Sequence, residues 1–351
     1  MEIFVTGGAG FIGSSLIKYL LDHTNHRIIN IDSLTYAGNL ESLEPIDSNP
    51  NYIFEQVNIC NFKALEHLFQ KYSPSLVMHL AAESHVDNSI ENPLDFINTN
   101  IIGTYNLLQC SRMFFEKRLH GNKELFKFLH VSTDEVFGDI PNLSDFFSES
   151  SPYDPSSPYS ASKAGSDHLV RAWHRTFNLP IVISNCSNNY GPFQFPEKLI
   201  PKTIINLCLG KQIPIYGNGE QIRDWLFVQD HVKALYKIAI NGESGESYNV
   251  GGNNEKKNID VVTTICSIAD DLISTKPGGI SSFKDLIYFT DDRPGHDQRY
   301  AIDCSKLYSK LGWVAEESFS SGIQKTVEWY ANNKQWWGRV LSGEYRNPQS
   351  S

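Results

Sequence analysis

The stretch LHVSTDEVFGD, Leu129 to Asp139, places two carboxyl groups, Asp134 and Glu135, directly behind an apolar run and the hydroxyls of Ser132 and Thr133. Burying charge is costly. Two adjacent carboxylates at the end of an interior strand are therefore either a solvated turn or an acid and a base held over a substrate. Near the start of the chain, VTGGAGFIGS spaces Gly7, Gly10 and Gly13 at three-residue intervals between an apolar run and a helical pattern. Glycines there allow a tight turn and a close approach of backbone to a pyrophosphate, which the free N–H groups of the next helix attract. Asp32 ends the second apolar run, about 20 residues beyond the glycines, where a carboxylate accepts from both adenosine ribose hydroxyls and repels a 2′-phosphate. This combination favours NAD over NADP.

A second chemical pair stands in YSASKAG, where Tyr159 and Lys163 are four residues apart and share one helix face. An ammonium beside the phenol, together with the positive nicotinamide ring of NAD, lowers the phenol pKa from about 10. The phenolate can then take a proton from a sugar hydroxyl while hydride leaves. Asn58 and Ile59 follow the third strand, where an adenine ring would be gripped. HLAA, His79 to Ala82, ends the fourth with small residues that leave room for a cofactor.

These residues need a scaffold, and the first half of the chain supplies the pattern of one. EIFVTG, RIINID, SLVMHLAA, FKFLHVS and IVISNC have the pattern of strands. GFIGSSLIKYLLDH, KALEHLFQKY, a long PLDFINTNIIGTYNLLQCSRMFF and YSASKAGSDHLVRAWHRTF have the pattern of helices. Such alternation predicts an α/β fold, a doubly wound parallel sheet of the Rossmann type. After Asn185 the run SNNYGPFQFPEKLIP is rich in turn formers and aromatics, and the regular alternation stops. The expected division is a dinucleotide-binding domain over residues 1–185 plus about 225–250, where FVQDHVKALYKIAI returns as a helix. A smaller mixed α/β substrate domain then takes 186–224 and about 251–351. The terminal EYRNPQSS is expected to fray.

At 351 residues, 40% hydrophobic and 20% charged, the composition is that of a soluble globular protein. A net charge of −10 argues against nucleic acid as a partner. No apolar run reaches the roughly 18 residues that span a bilayer, and MEIFVTGGAG has no basic signal-peptide region. The six scattered cysteines fit reduced thiols in a cytoplasmic protein, and no metal-ligand cluster is visible.

Together, Gly7, Gly10, Gly13, Asp32, Tyr159 and Lys163 resemble the extended short-chain dehydrogenase/reductase family, whose members modify nucleotide sugars, over nearly the whole chain. Within that family, STDEVFGD, NIDSLTYAGNLESL, LAAESHVDNSI, SNCSNNYGPFQFPEKLIP, PIYGNGEQIRDWLFVQDH, NVGGNNEKKN and DRPGHDQRYAID are similar to the 4,6-dehydratases. The resemblance implies a dehydration of dTDP-glucose with NAD as cofactor. Tyr159, assisted by Lys163, would be the base at carbon 4, and Thr133 would hydrogen-bond the sugar. Glu135 would be the base at carbon 5 and Asp134 the acid at carbon 6. Cofactor contacts are implied for Gly7, Gly10, Phe11, Ile12, Gly13, Asp32, Ser33, Leu34, Thr35, Asn58, Ile59, Leu80, Ala81, Ala82, Ser84, Thr99, Tyr159, Lys163 and Asn189. The nucleotide sugar would be held by Ser84, Thr133, Asn188, Lys198, Leu199, Pro214, Ile215, Tyr216, Arg223, Asn258, Asp292, Arg293, Pro294, Gly295 and His296, with the Arg223 fork suited to pyrophosphate.

A homodimer through the helices starting near Pro93 and Tyr159 is also implied. Two positions depart from the family pattern: Phe137 replaces a tyrosine, and Asn58 replaces an aspartate against the adenine. A UDP-glucose 4,6-dehydratase or a sugar 4-epimerase remains as a rival, although the epimerase has no task for Asp134 beside Glu135. A non-catalytic NAD-binding regulator is a third rival, against which the intact Tyr159, Lys163, Asp134 and Glu135 argue.

Overall fold

Strands that are apolar on both faces need cover on both sides, and the chain provides it in the order that its patterns predict. In a computed structural model describing residues 1–118, 126–140, 142–273, 276 and 279–346, the first elements are β1 (Glu2–Thr6), α1 (Phe11–His23), β2 (Arg27–Asp32), β3 (Tyr52–Gln56), α2 (Phe62–Tyr72), β4 (Leu76–His79), α3 (Val86–Glu91), α4 (Pro93–Phe96), α5 (Thr104–Arg118), β5 (Lys127–Thr133), α6 (Pro158–Phe177) and β6 (Ile181–Cys186). They are followed by β7 (Asn188–Tyr190), α7 (Leu199–Leu209), β8 (Ile213–Tyr216), β9 (Ile222–Phe227), α8 (Val228–Asn241), β10 (Ser247–Val250), β11 (Glu255–Lys257), α9 (Asn258–Leu272), β12 (Ile287–Thr290), α10 (Ser305–Leu311), α11 (Phe319–Asn332) and α12 (Lys334–Ser342).

Seven parallel strands form one sheet in the order β10-β6-β5-β4-β1-β2-β3. Leu16, Ile17 and Leu20 of α1 and Val232, Leu235 and Ile238 of α8 fill one face. Leu65 and Phe69 of α2, Leu107 and Leu108 of α5 and Val170 of α6 fill the other. This is the doubly wound arrangement, with the order reversing between β1 and β4. Ligands bind outside the carboxyl ends of strands at such a point, and those ends carry the glycine turn, Leu80–Ala82 and Thr133–Glu135.

A separate apolar core gathers Tyr190, Ile200, Ile204, Trp225, Val261, Ile265, Ile323 and Tyr330. Around it lie a three-stranded sheet, β11-β9-β7, and the pair β12-β8.

Two expectations about local structure change. The long helix from Pro93 to Phe115 is interrupted by a π-helical stretch, Ile97–Gly103, between α4 and α5. Asn100 explains the break. Its side chain accepts from Glu83 N–H and donates to Glu83 O and to Ser162 Oγ, while its carbonyl accepts from Thr104 Oγ1 at 2.6 Å. The wider turn brings Thr99 to the cavity wall described below; π segments commonly mark functional sites. The C-terminal run is also ordered further than expected. Glu344–Arg346 form a 3-10 turn, and buried Tyr345 donates its hydroxyl hydrogen to Tyr36 O. Residues 347–351 lie outside the described ones.

Three fully buried histidines set the acid side of stability. His79 lies between Thr6 Oγ1, at 2.7 Å, and Thr104 Oγ1, at 2.9 Å. Burial holds it well below the usual imidazole range and holds His130 near about 4 and His231 near about 3. The unfolded chain, with imidazoles near 6.5, therefore binds more protons than the folded one between about pH 6.5 and 4. Each group then removes up to about 1.4 kcal/mol of stability per pH unit as pH falls through that window. Buried Asp134, raised well above its unfolded value, works the other way and offsets part of this loss. With three histidines against it, urea unfolding is expected to show a midpoint that falls from pH 6 to 5.

Candidate active site

The turn after β1 is built by contacts that a side chain would prevent. Gly7 has φ +70°, and a Cβ there would stand 2.7 Å from Ala81 Cα. One on Gly13 would stand 2.1 Å from Gly7 O. α1 starts at Gly10 with no side-chain cap and no acidic residue in its first turn. Its first N–H groups and the positive end of its dipole therefore remain available to an anion. Asp32 accepts from Ala9 N–H through Oδ2 at 2.9 Å and from Leu34 N–H through Oδ1 at 2.8 Å. Burial raises its carboxyl, while the N–H groups of Leu34, Ala9 and Ser33 oppose that shift. An anion-receptive turn beside a fixed carboxylate fits a dinucleotide.

One cavity runs from this turn to the end of β5. It is lined by Gly7, Gly10, Phe11, Ile12, Gly13, Asp32, Ser33, Thr35, Asn58, Ile59, Leu80, Ala81, Ala82, Ser84, Thr99, Thr133, Asp134, Glu135, Tyr159, Lys163, Asn188, Asn189 and Lys198. Ser157 and Ser160 form a capping box at the start of α6, with Pro158 in its first turn. This fixes the buried face that carries Tyr159 and Lys163. Lys163 Nζ donates to Val131 O at 2.8 Å. Thr133 Oγ1 accepts from Glu135 N–H at 3.2 Å, which caps the 3-10 turn Asp134–Phe137, and lies 3.3 Å from Asp134 Oδ1.

The two carboxyls have different surroundings. Asp134 is 2% exposed, and its Oδ2 has no hydrogen-bond partner. Burial, then the charge of Glu135, pushes it well above the ordinary aspartate range. Burial also raises Glu135, but Arg293, Arg223 and Lys198 oppose this. The expected lowering of the phenol is not a property of the protein alone. Burial, then Glu135, pushes Tyr159 well above 10, with the Thr133 side chain opposing. Lys163 Nζ donates to a backbone carbonyl and keeps its charge behind the phenol, so lowering the phenol would fall to that charge together with the cofactor's positive ring.

Several expected ligand residues stand apart from this cavity. Leu34 adopts φ +53° and serves the Asp32 turn through its N–H. Leu199 opens α7. Pro214, Ile215 and Tyr216 form β8; Ile215 points into the second core, and the Tyr216 hydroxyl donates to Asp87 Oδ2 at 3.2 Å. Asn258 starts α9. Arg293 also reaches Asp87, at 3.5 Å, and His296 pairs with Asp292 at 2.6 Å on either side of Pro294 and Gly295. Arg223 is not the open fork expected for a pyrophosphate. It is 5% exposed, donates to the carbonyls of Ile222, Gln298 and Asp297, and lies 4.2 Å from the Tyr300 ring centroid. Of the two departures, Asn58 Oδ1 accepts from Cys60 N–H at 2.8 Å, so a lone pair expected for adenine closes a turn. Phe137 stacks on Phe147.

Sequence reasoning missed Phe193, Phe195, Glu197 and Trp336 on the cavity wall. The first three stood in the aromatic turn-rich run already singled out. Trp336 comes from α12 and has no local signal.

A profile of the GDP-mannose 4,6 dehydratase family matches residues 4–326. The dTDP-glucose 4,6-dehydratase of Escherichia coli is 56% identical over 353 residues, covering 98% of each chain, and that of Neisseria meningitidis is 56% identical over 345 residues. The chain belongs to the dTDP-glucose 4,6-dehydratase family. Among solved structures, the Bacillus anthracis enzyme in complex with NAD superposes with a TM-score of 0.85 at 40% identity, covering 97% of this chain and 99% of the other. The Streptomyces venezuelae enzyme, with NAD and a dTDP ligand bound, gives 0.87 at 39%, covering 97% and 100%. The UDP-glucose 4-epimerase of Thermotoga maritima gives 0.82 at 27%.

The geometry at Asp32 makes a quantitative prediction. Asp32→Ala removes a charge-assisted acceptor worth about 1.5–3 kcal/mol, so NAD affinity falls roughly ten- to a hundredfold. Calorimetric titration of NAD-depleted protein reads this directly, and unchanged affinity would reduce Asp32 to a turn residue.

Proposed function

We propose that this chain converts dTDP-glucose to dTDP-4-keto-6-deoxyglucose. The observation that carries the reading is the unequal pair at the end of β5: Asp134 is enclosed with Oδ2 lacking a hydrogen-bond partner and is pushed well up, while the rise of Glu135 is opposed by Arg293, Arg223 and Lys198. Environments that push two carboxyls apart assign one as acid and the other as base. When bound, NAD supplies reversible hydride acceptance, from carbon 4 and back to carbon 6, so the overall reaction involves no net oxidation. The turn from Gly7 to Gly13 and the start of α1 hold its pyrophosphate, and Asp32 holds the adenosine ribose.

Tyr159 takes the proton from the carbon-4 hydroxyl, with Thr133 Oγ1 beside it and the Lys163 ammonium behind it. The resulting ketone acidifies carbon 5, where Glu135 removes a proton and gives one back to carbon 5 after water has left. Asp134, held protonated, gives its proton to the hydroxyl leaving carbon 6. Epimerisation shares the fold and the tyrosine–lysine pair but leaves Asp134 without a task. We assign the dinucleotide to residues 1–185 with about 225–250, and the nucleotide sugar to 186–224 with about 251–351; the cores agree for most residues, while Leu307 and Trp313 cross into the first and Trp225 and Phe227 into the second. Six unpaired cysteines support placement in the cytoplasm, and among the described residues no helix is long and apolar enough to cross a membrane.

Purified protein is expected to turn over dTDP-glucose without accumulating free NADH. Glu135→Gln should abolish deuterium incorporation at carbon 5 while leaving oxidation at carbon 4. Asp134→Asn should slow loss of the hydroxyl, because an amide is a very poor acid. Each change is expected to cost about 10²–10⁴-fold in rate. Near-wild-type turnover by both variants, with intact thermal melts, would defeat the dehydratase reading.

The chain is also proposed to pair with a second copy. Leu94, Ile97, Ile102 and Tyr105, from α4 through the start of α5, are 66%, 43%, 45% and 41% exposed, and such an apolar face calls for a partner. Light scattering should give twice the chain mass for wild type and the single-chain mass for Leu94→Glu with Ile102→Glu.

A further inference from the structure

Beneath the site lies a second buried carboxylate that the reaction as derived does not use. Asp167 is one helical turn beyond Lys163 on α6 and fully enclosed. Its Oδ2 accepts from Ser132 Oγ at 2.8 Å, Tyr153 OH at 2.8 Å and Asn185 Nδ2 at 3.3 Å. Asn185 Nδ2 also donates to Thr133 O at 3.2 Å. His130 Nε2 lies 3.1 Å from Asp167 Oδ1. The same carboxylate thus meets β5 at His130 and Ser132, β6 at Asn185, and the loop before α6 at Tyr153, whose hydroxyl accepts from Arg171 at 3.2 Å.

A fully buried ammonium is costly unless a negative charge accompanies it. Burial pushes Tyr159, Cys186 and Asp134 up and holds His79 and His130 down, and both histidines feel the Lys163 charge. Burial also raises Glu135, which Arg293, Arg223 and Lys198 oppose. Asp167 remains as the permanent negative charge on Lys163's own helix. Burial alone would raise its carboxyl, but His130, Lys163 and Ser132 hold it below the ordinary value.

We propose that Asp167 is a positioning residue of the reaction: its carboxylate keeps the Lys163 ammonium charged and, through Ser132 and Asn185, fixes the strand end that carries Thr133. Resting on the dehydratase reading, the assignment adds a residue that touches neither substrate nor cofactor. It also gives a reason for four polar side chains to converge in an interior that hydrophobic packing could otherwise fill. Burial lowers Lys163, and Asp167 is the leading opposing influence.

The test begins with wild-type turnover of dTDP-glucose, which decides the underlying reading by itself. Asp167→Asn keeps the shape and removes the charge. Stopped-flow absorbance of enzyme-bound reduced nicotinamide isolates the carbon-4 oxidation, in which Asp134 has no part. The basic limb of that step's pH profile is expected to move down by about one unit or more, with about a tenfold loss of rate above the limb, while the substrate KM stays within about twofold and Asp167→Glu recovers part of the shift. Tyr153→Phe removes a hydrogen bond but no charge, so it should lower the melting temperature without moving the limb. A folded, NAD-loaded Asp167→Asn with the wild-type limb and rate would overturn the proposal. If that variant does not fold, the ε-carbon NMR signal of Lys163 in wild-type protein decides: an ammonium at pH 7.5 supports the proposal, and a neutral amine there overturns it.

Discussion

Lys163 places an ammonium under the carboxyl edge of the sheet with one backbone carbonyl, that of Val131, as its hydrogen-bond acceptor. Much of the surrounding structure follows from the difficulty of keeping charge there. The lysine must come from a helix pinned against the sheet, and the capping box of Ser157 and Ser160 with Pro158 fixes where that helix begins. The strand beside it must end in groups that tolerate a buried polar neighbourhood, and β5 ends in His130, Ser132 and Thr133, each hydrogen-bonded or close to a partner. Apolar faces of the sheet supply rigidity. The polar seam between α6 and β5 supplies the electrical environment.

The two halves of the cavity meet opposite physical demands. At the glycine turn the chain clears space, since backbone must lie against backbone with no Cβ between. At Asp134 and Glu135 it encloses, and solvent exclusion is what separates the two carboxyls. Burial and the neighbouring Glu135 push Asp134 well up, with Arg223 opposing. Glu135, one residue later in the 3-10 turn capped by Thr133, is less exclusively governed by burial, because Arg293, Arg223 and Lys198 from the second half of the chain oppose its rise.

What was legible in the sequence was whatever local spacing encodes. The glycines, Asp32, the i,i+4 pair Tyr159 and Lys163, and the carboxylates after β5 each carry their geometry in a short stretch, and alternating apolar runs gave the parallel sheet. Contacts that depend on distant partners were not legible. The π-helical break follows from Asn100 meeting Glu83 and Ser162. The engagement of Arg223 follows from carbonyls near Gln298, and Asp167 draws its partners from three separate elements. Trp336 lies on the cavity wall against Phe193 and Trp329, partners far from it or outside its own helix. Asn58 lines the cavity, and its amide oxygen accepts from the N–H of Cys60 in a turn that its own sequence creates.

The tie at the end of the chain has a temporal side. Tyr36 and Glu41 sit in the loop that follows β2 and lies over the Asp32 turn, yet they are fastened by Tyr345 and Arg339. Asn39 N–H on Ala9 O ties that segment to the glycine turn from the outset, and Phe195 and Glu197 meet Tyr36 later. The remaining side of the rim is fastened only once α12 has been made, so a chain stopped short of α12 would have its glycines and ribose-facing aspartate but fewer ties at the rim.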